Sequence, residues 1–219
     1  MVLRETYSRD LQNLQDELLR VGGEVEDDLV KAVTALIERN LSQSRQVITA
    51  DFWINEWTLQ MTMDSLTLIA TQQPAAGDLR LLTAVMNIAN ELERIHDYIK
   101  GIGKISLTIG RDPIPADITQ YLPAMAAQTR SMLRRALAAF AQQDTAAARQ
   151  IAAEDDAVDA LFNQTRQAIM PYIIANPARF EELDRIGWAN HNLERAADRV
   201  SNICEWVVYL ADGRFVELV

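Results

Sequence analysis

Apolar residues recur at every third or fourth position along almost the whole of this 219-residue chain. The first segment shows the pattern in Tyr7, Leu11, Leu14, Leu18, Val21, Val25, Leu29, Val33 and Leu36. Such spacing gathers apolar side chains on one face of an α-helix, as in helical bundles. Only eight Gly and six Pro are available to interrupt helices of this kind. We therefore predict an all-α fold of few, long helices.

Residues that cap or end helices divide the chain into six segments. They are Asn40, Pro74, Gly110–Pro115, Gln142–Thr145 and Asn176-Pro177. The predicted helices cover roughly residues 4–39, 42–72, 76–109, 116–141, 145–174 and 178–211. Because Gly and Pro are densest at mid-chain, we predict a linker at 111–115 between two three-helix bundles, residues 1–110 and 116–219.

The two halves share sequence. The phrase Leu-Glu-Arg-x-x-Asp occurs at residues 92–97 and again at residues 193–198, an offset of 101. At an offset of 104, Asp51 matches Asp155, and the Arg-Gln pair that precedes each of them matches too. The offset changes where a loop joins two helices, and loops tolerate insertions. The repeat predicts two tandem, pseudo-symmetric three-helix bundles.

Composition excludes several classes of function. The formal net charge is -10 and there is no basic block, which argues against binding to nucleic acid. Cys204 is the only cysteine, so a disulfide framework is impossible. No signal-type start and no long uncharged apolar run are present. We expect a cytoplasmic protein without direct membrane insertion, which reaches a membrane only through a partner.

The repeated phrase carries the candidate site. Glu93 and Asp97 share one helix face, as do Glu194 and Asp198, although like charges four residues apart repel each other. Helical angles place both pairs away from the apolar stripe, on an outer face. Carboxylates are hard ligands that suit Mg²⁺, Mn²⁺, Ca²⁺ and iron, and that also bind Zn²⁺. These four residues are therefore candidate metal ligands.

Three further residues lie beside these pairs and are weaker candidates. His96 follows Glu93 by three positions, whereas His191 precedes Glu194 by three, at the position where the first copy has Asn90. We expect both histidines at the surface, where either could reach an ion held by the carboxylates. Asn90 lies near Glu93 on the helix face.

Two other interpretations stay open. The carboxylates could simply be solvated on a structural scaffold without metal, paired with Arg94, Lys100, Arg195 and Arg199. A di-iron bundle enzyme is less favoured, although Glu93-x-x-His96 matches one of its elements. The second copy has Ala197 in place of the histidine, and the carboxylates face away from the core. Other catalytic motifs are absent from the sequence.

Three stretches resemble the PhoU family. They are Gln73-Pro74-Ala75-Ala76-Gly77-Asp78-Leu79-Arg80, the paired signatures Glu93-Arg94-Ile95-His96-Asp97 and Glu194-Arg195-Ala196-Ala197-Asp198, and Asn202-Ile203-Cys204-Glu205. The likeness extends over essentially the whole chain. It also implies two three-helix bundles. His96 and Ala197 depart from the family pattern, which usually has Gly at both positions.

The resemblance implies a non-enzymatic regulator. PhoU-like proteins are negative regulators of the phosphate-starvation response, and they connect a phosphate ABC transporter ATPase with a phosphate-sensing histidine kinase. By resemblance we expect a homodimer that lies peripheral to the inner membrane through these partners. The family's acidic motifs bind iron or zinc, a role that carries over to Glu93, Asp97, Glu194 and Asp198.

Overall fold

The computed structural model describes residues 2–109 and 114–218. All regular structure within these residues is helical, so the predicted fold class is confirmed. The helices are α1 (Val2–Glu38), α2 (Leu41–Gln72), α3 (Ala76–Thr108), α4 (Ala116–Thr119), α5 (Leu122–Gln142), α6 (Thr145–Ala152), α7 (Asp155–Ala175) and α8 (Phe180–Asp212), with a 3₁₀ turn, Pro177–Arg179, before α8. Positions 111–113 of the predicted linker lie outside the described residues, so the domain boundary stays a prediction.

Two of the six predicted helices are interrupted. The segment 116–141 consists of the short α4 followed by α5, whose first turn contains Pro123, where a backbone N–H is not needed. The segment 145–174 consists of α6 and α7. This second interruption places Asp155 and Asp156 in the first turn of α7, where the helix dipole favours negative charge.

The hairpin after the first helix is repeated in the second half. Arg39 and Gln143 both adopt positive φ, 57° and 53°, as the chain leaves α1 and α5. Asn40 and Asp144 follow them and cap α2 and α6, and each accepts a hydrogen bond from the backbone N–H three residues on. These pairs are 104 residues apart, so the offset found in the sequence is also an offset in structure.

α3 and α8 cross near an approximate two-fold axis. Gly101 lies so close to Asn192 that a Cβ at position 101 would clash with its amide group. At the equivalent contact, Asn202 Nδ2 donates to Glu91 Oε2 at 3.3 Å. Each contact is the other shifted by 101 residues, and such reciprocity is the signature of a two-fold relation. The pseudo-symmetry predicted from the repeat is therefore confirmed.

One hydrophobic core extends through both halves, with α3 and α8 at its centre. Their predicted apolar stripes are fully buried: Leu92, Ile95, Ile99 and Ile102 in α3, and Leu193, Val200, Ile203 and Val207 in α8. Because these stripes face inward, the acidic phrases on the same helices face outward. None of the described helices has an apolar stretch long enough to cross a lipid bilayer.

Candidate functional site

The four predicted carboxylates lie off the core. Glu93, Glu194 and Asp198 are half-buried and Asp97 is exposed. In each half the neighbouring helix adds two more polar residues, also four positions apart. They are Asp51 and Asn55 on α2, and Asp155 and Asp159 on α7. We call Asp51, Asn55, Glu93 and Asp97 the first acidic cluster. Their equivalents, Asp155, Asp159, Glu194 and Asp198, are the second acidic cluster.

A lysine lies inside the first acidic cluster. Lys100, one turn after Asp97 on α3, donates from Nζ to Asp51 Oδ2 at 2.7 Å and to Asp97 Oδ1 at 2.5 Å. It therefore bridges the carboxylates of two helices. Asn55 Nδ2 donates to the same Asp51 oxygen at 3.1 Å. Asp51 thus has partners from α2 and α3.

His96 is buried, contrary to the expectation that it lies at the surface. Its side chain is fully enclosed, with Nδ1 3.4 Å from Asp51 Oδ1 and Nε2 3.4 Å from Asp28 Oδ2. The reason is its position on α3, four residues after Leu92 and three before Ile99, which belongs to the core stripe. His96 therefore connects α3 with α1 and α2 beneath the first acidic cluster.

These partners govern the ionisation of Asp51 and Asp28, whereas burial and then the charge of Asp97 raise the pKa of Glu93. Burial alone would raise the pKa of Asp51, but hydrogen bonds from Lys100 and His96 outweigh it and lower that pKa. Asp28 behaves in the same way, since the raising effect of its burial is overcome by His96 and Lys31. The two carboxylates that flank His96 are therefore held in the ionised form.

The second acidic cluster has different neighbours. Ser201 takes the place of Lys100, and Ala197 takes the place of His96. Arg195 Nη1 pairs with Asp198 Oδ2 at 2.6 Å, but it does so along α8 rather than between helices. The half-exposed His191 lies with Nδ1 3.3 Å from Glu194 Oε2.

Carboxylates of the second cluster repel one another. Burial raises the pKa of Asp155 to about 7, and the charges of Asp198, Asp159 and Glu194 add to the effect. The pKa of Glu194 is raised by burial and then by Asp198, and that of Asp159 has the same two leading causes. Negative charge in this half is therefore less well compensated than in the first.

An open cavity of about 260 Å³ adjoins the second cluster. Four carboxylates and two arginines are among its lining residues, which are Asp155, Arg195, Asp198, Arg199, Ser201, Asn202, Glu205 and Glu217. Arg199 Nη1 lies 3.6 Å from Glu91 on α3. The C-terminal segment is anchored at the cavity because the Leu218 backbone N–H donates to Glu205 at 2.9 Å.

Comparison with known proteins accounts for the duplication of the fold. A family model described as "PhoU domain" matches the chain twice, at residues 18–106 and 122–207. The two matches correspond to the two halves seen in the structure.

The chain belongs to the PhoU family.

Relatives extend over almost the whole chain. The "Phosphate-specific transport system accessory protein PhoU homolog" of Pseudomonas putida is 30% identical over 211 residues, which cover 96% of this chain and 82% of the relative. The Aquifex aeolicus protein of the same description is 26% identical over 209 residues, which cover 95% of this chain and 94% of the relative.

Solved PhoU structures share the fold. The phosphate transport system regulatory protein PhoU from Streptococcus pneumoniae superposes with a TM-score of 0.87 at 27% identity, over 97% of this chain and 100% of that one. PhoU from Pseudomonas aeruginosa gives a TM-score of 0.85 at 28% identity, over 95% of this chain and 100% of that one.

The two clusters differ in their fitness to hold a metal ion. Within residues 2–109 and 114–218, no group of three or more His, Cys, Asp or Glu side chains is already arranged around a metal position. In the second cluster the donors are carboxylates that repel one another, so a cation would relieve that repulsion by drawing them together. In the first cluster the ammonium of Lys100 already lies between two of the oxygens.

Sequence reasoning missed half of each cluster. The repeat relates Asp51 to Asp155, but only the packing of neighbouring helices places them beside the repeated phrases. Asp159, one turn after Asp155, carried the same spacing of four as the recognised pairs. This second carboxylate pair, on the helix that precedes Glu194 and Asp198, is the sequence signal that indicates the rest of the second cluster. Asn90 is exposed in the structure and His191 is half-buried beside Glu194.

Proposed function

We propose that this PhoU-family chain is a non-enzymatic accessory regulator of phosphate uptake. It acts as a negative regulator of the phosphate-starvation response, and it connects a phosphate ABC transporter ATPase with a phosphate-sensing histidine kinase in the cytoplasm. The observation that carries the proposal is the double family match over both halves, together with relatives named as accessory or regulatory proteins of phosphate transport. Those names favour a non-enzymatic role.

The regulator is proposed to bind metal through its acidic faces. Asp155, Asp159, Glu194 and Asp198 supply carboxylate oxygens, which take iron or zinc, and also Mg²⁺, Mn²⁺ or Ca²⁺. A bound cation would neutralise charge that is otherwise repulsive in this cluster. The alternatives are a metal-free scaffold and, less favoured, a di-iron enzyme. The enzyme needs a Glu-x-x-His element on two helices, and the second half has Ala197 at the histidine position of that element.

Exposed apolar side chains often form the core of a protein interface. α2 provides such side chains, since Phe52 is 72% exposed, Leu59 60% and Met63 52%. Large apolar side chains that cluster on a solvated helix face are typical of protein interaction surfaces. We propose this face of α2 as a contact surface for a second copy or for the partner proteins.

Deletion of the gene in its own host tests the regulatory proposal. Phosphate-starvation genes should then be expressed in medium rich in phosphate, and the wild-type gene supplied in trans should silence them again. A variant with Phe52, Leu59 and Met63 changed to Ser should fail to silence them although it folds. Unchanged expression after deletion would refute the regulatory role.

A further inference from the structure

Three pairs of equivalent positions distinguish the two halves beneath their acidic faces. Lys100 corresponds to Ser201 and His96 corresponds to Ala197, both at an offset of 101. At an offset of 104, Asp28 of α1 corresponds to Met132 of α5. These differences occur together. The first half has a buried polar network of Asp28, His96 and Asp51, whereas the buried Met132 and Ala197 make the equivalent region of the second half apolar.

In the first cluster, Lys100 occupies the place of a cation. Its ammonium group makes charge-assisted hydrogen bonds to oxygens of α2 and α3, at 2.7 Å to Asp51 and 2.5 Å to Asp97. Asp51 also faces His96 from its other oxygen. A metal ion that entered here would have to displace the lysine and leave its charge nearby, where it would repel the ion.

In the second cluster, no cation of the described residues bridges the carboxylates of two helices at the equivalent place, because Arg195 pairs with Asp198 along α8 only. Ser201 is only 2% exposed, and within the described part of the chain its Oγ has no hydrogen-bond partner. It lines the same cavity as Asp155 and Asp198. A buried hydroxyl without a partner costs free energy, which a ligand or water in the cavity would recover. Ser201 therefore borders the same open space as the two carboxylates, and its enclosed hydroxyl is still without a protein partner among the described residues.

We propose that the two acidic clusters are unequal, so that the second binds a divalent metal ion whereas the first is closed by the chain's own Lys100. This inference rests on the proposed metal binding, and it specifies which half of the protein binds the ion. The identity of residue 100 or 201 determines whether its cluster is open. A small neutral residue opens the cluster, and a lysine closes it.

Exchange of the two residues tests the proposal. Mn²⁺ serves as the probe because it takes oxygen ligands, and because free and bound Mn²⁺ differ in their EPR signals. Binding to the metal-free full-length chain is measured by equilibrium dialysis and EPR. Lys100→Ser should add a second class of bound Mn²⁺. Ser201→Lys should remove the binding of the wild type, and the cavity beside residue 201 provides room for the longer side chain.

Two further variants form a matched control, since each removes one carboxylate that is paired with a cation three residues away. Asp198→Asn should weaken Mn²⁺ binding at least about tenfold. Asp97→Asn should leave it within about twofold, because it alters a distant, screened charge. Circular dichroism checks the fold of every variant. If Ser201→Lys does not fold, Asp155→Asn replaces it and should also lose Mn²⁺.

The outcomes separate this inference from the proposal beneath it. Absence of Mn²⁺ binding by the wild type would overturn metal binding and this inference together. Equal losses in Asp97→Asn and Asp198→Asn would overturn only the inequality of the clusters. Lys100→Ser protein that binds no more Mn²⁺ than the wild type would overturn the role of Lys100.

Discussion

The two halves of the molecule share the hairpin after their first long helix, the buried stripes of α3 and α8, and four equivalent acidic or amide positions, yet the partners of their carboxylates differ. In the first half, Lys100 and His96 come between carboxylates from three helices. In the second half, Ser201 and Ala197 stand in their places, and Asp155 is left among other carboxylates. The duplicated fold therefore carries two sites, of which, within the described ranges, only the first has a lysine that bridges carboxylates of two helices.

The largest expected effect comes from the buried histidine of the first half. His96→Ala should lower the free energy of unfolding by about 3 kcal/mol, because it leaves a cavity and removes a partner from two partly buried carboxylates. Urea denaturation measures the change. The matched variant His191→Ala, at a half-exposed position, should change stability by less than about 0.5 kcal/mol. Similar losses of stability for both variants would contradict the proposed difference between the two histidines.

Asp155→Asn should act in the opposite direction. The folded protein raises the pKa of Asp155 to about 7, well above its value near 4 in the unfolded chain. Ionisation therefore disfavours the folded state, and stability is lost as the pH rises from about 4 to 7. In metal-free protein at pH 8, Asp155→Asn should raise the free energy of unfolding by on the order of 2 kcal/mol. The gain should vanish near pH 4, as urea denaturation at both pH values would show.

Asp51→Asn is the control for that experiment. The pKa of Asp51 is lowered because Lys100 and His96 outweigh its burial, so its contribution to stability is present above its unfolded pKa and is lost in acid. At pH 8 the substitution should therefore destabilise the protein, opposite in sign to Asp155→Asn. If Asp51→Asn and Asp155→Asn both stabilised the protein at pH 8, the proposed difference between the environments of these two carboxylates would be contradicted.

A smaller effect is expected from the lysine. Lys100→Ala removes two charge-assisted hydrogen bonds and leaves the buried Asp51 carboxylate with fewer partners, so it should cost about 1 kcal/mol in metal-free protein. The more exposed Arg195→Ala breaks an ion pair within α8 and a hydrogen bond to Tyr98 of α3, and it should cost less than Lys100→Ala because both contacts are partly screened by solvent. Thermal unfolding in EDTA compares the two variants, and an Arg195→Ala loss larger than that of Lys100→Ala would go against the account.

Much of the fold could be predicted from the sequence because helical periodicity reports directly which face is apolar. The stripes of α3 and α8 and the outward carboxylates follow from that period alone. The break before Asp155 was missed, since the periodicity continues across it and the preference of Asp155 for a helix N-terminus carries no comparable pattern.

The site was less predictable because its partners come from different helices. His96 was expected at the surface on account of its chemistry, although its spacing from Leu92 and Ile99 matches the buried stripe. Its partners, Asp28 and Asp51, lie 68 and 45 residues away in sequence. Lys100 looked like one cation of an exposed face, and only the packing of α2 against α3 shows that it bridges two carboxylates.

Anomalous X-ray diffraction at the manganese edge, from crystals of the wild-type protein grown with Mn²⁺, tests the inequality of the two clusters most directly. The account predicts an anomalous peak among Asp155, Glu194 and Asp198, with Lys100 still between Asp51 and Asp97 and no peak there. A peak beside Glu93 and Asp97, with the lysine displaced, would contradict it.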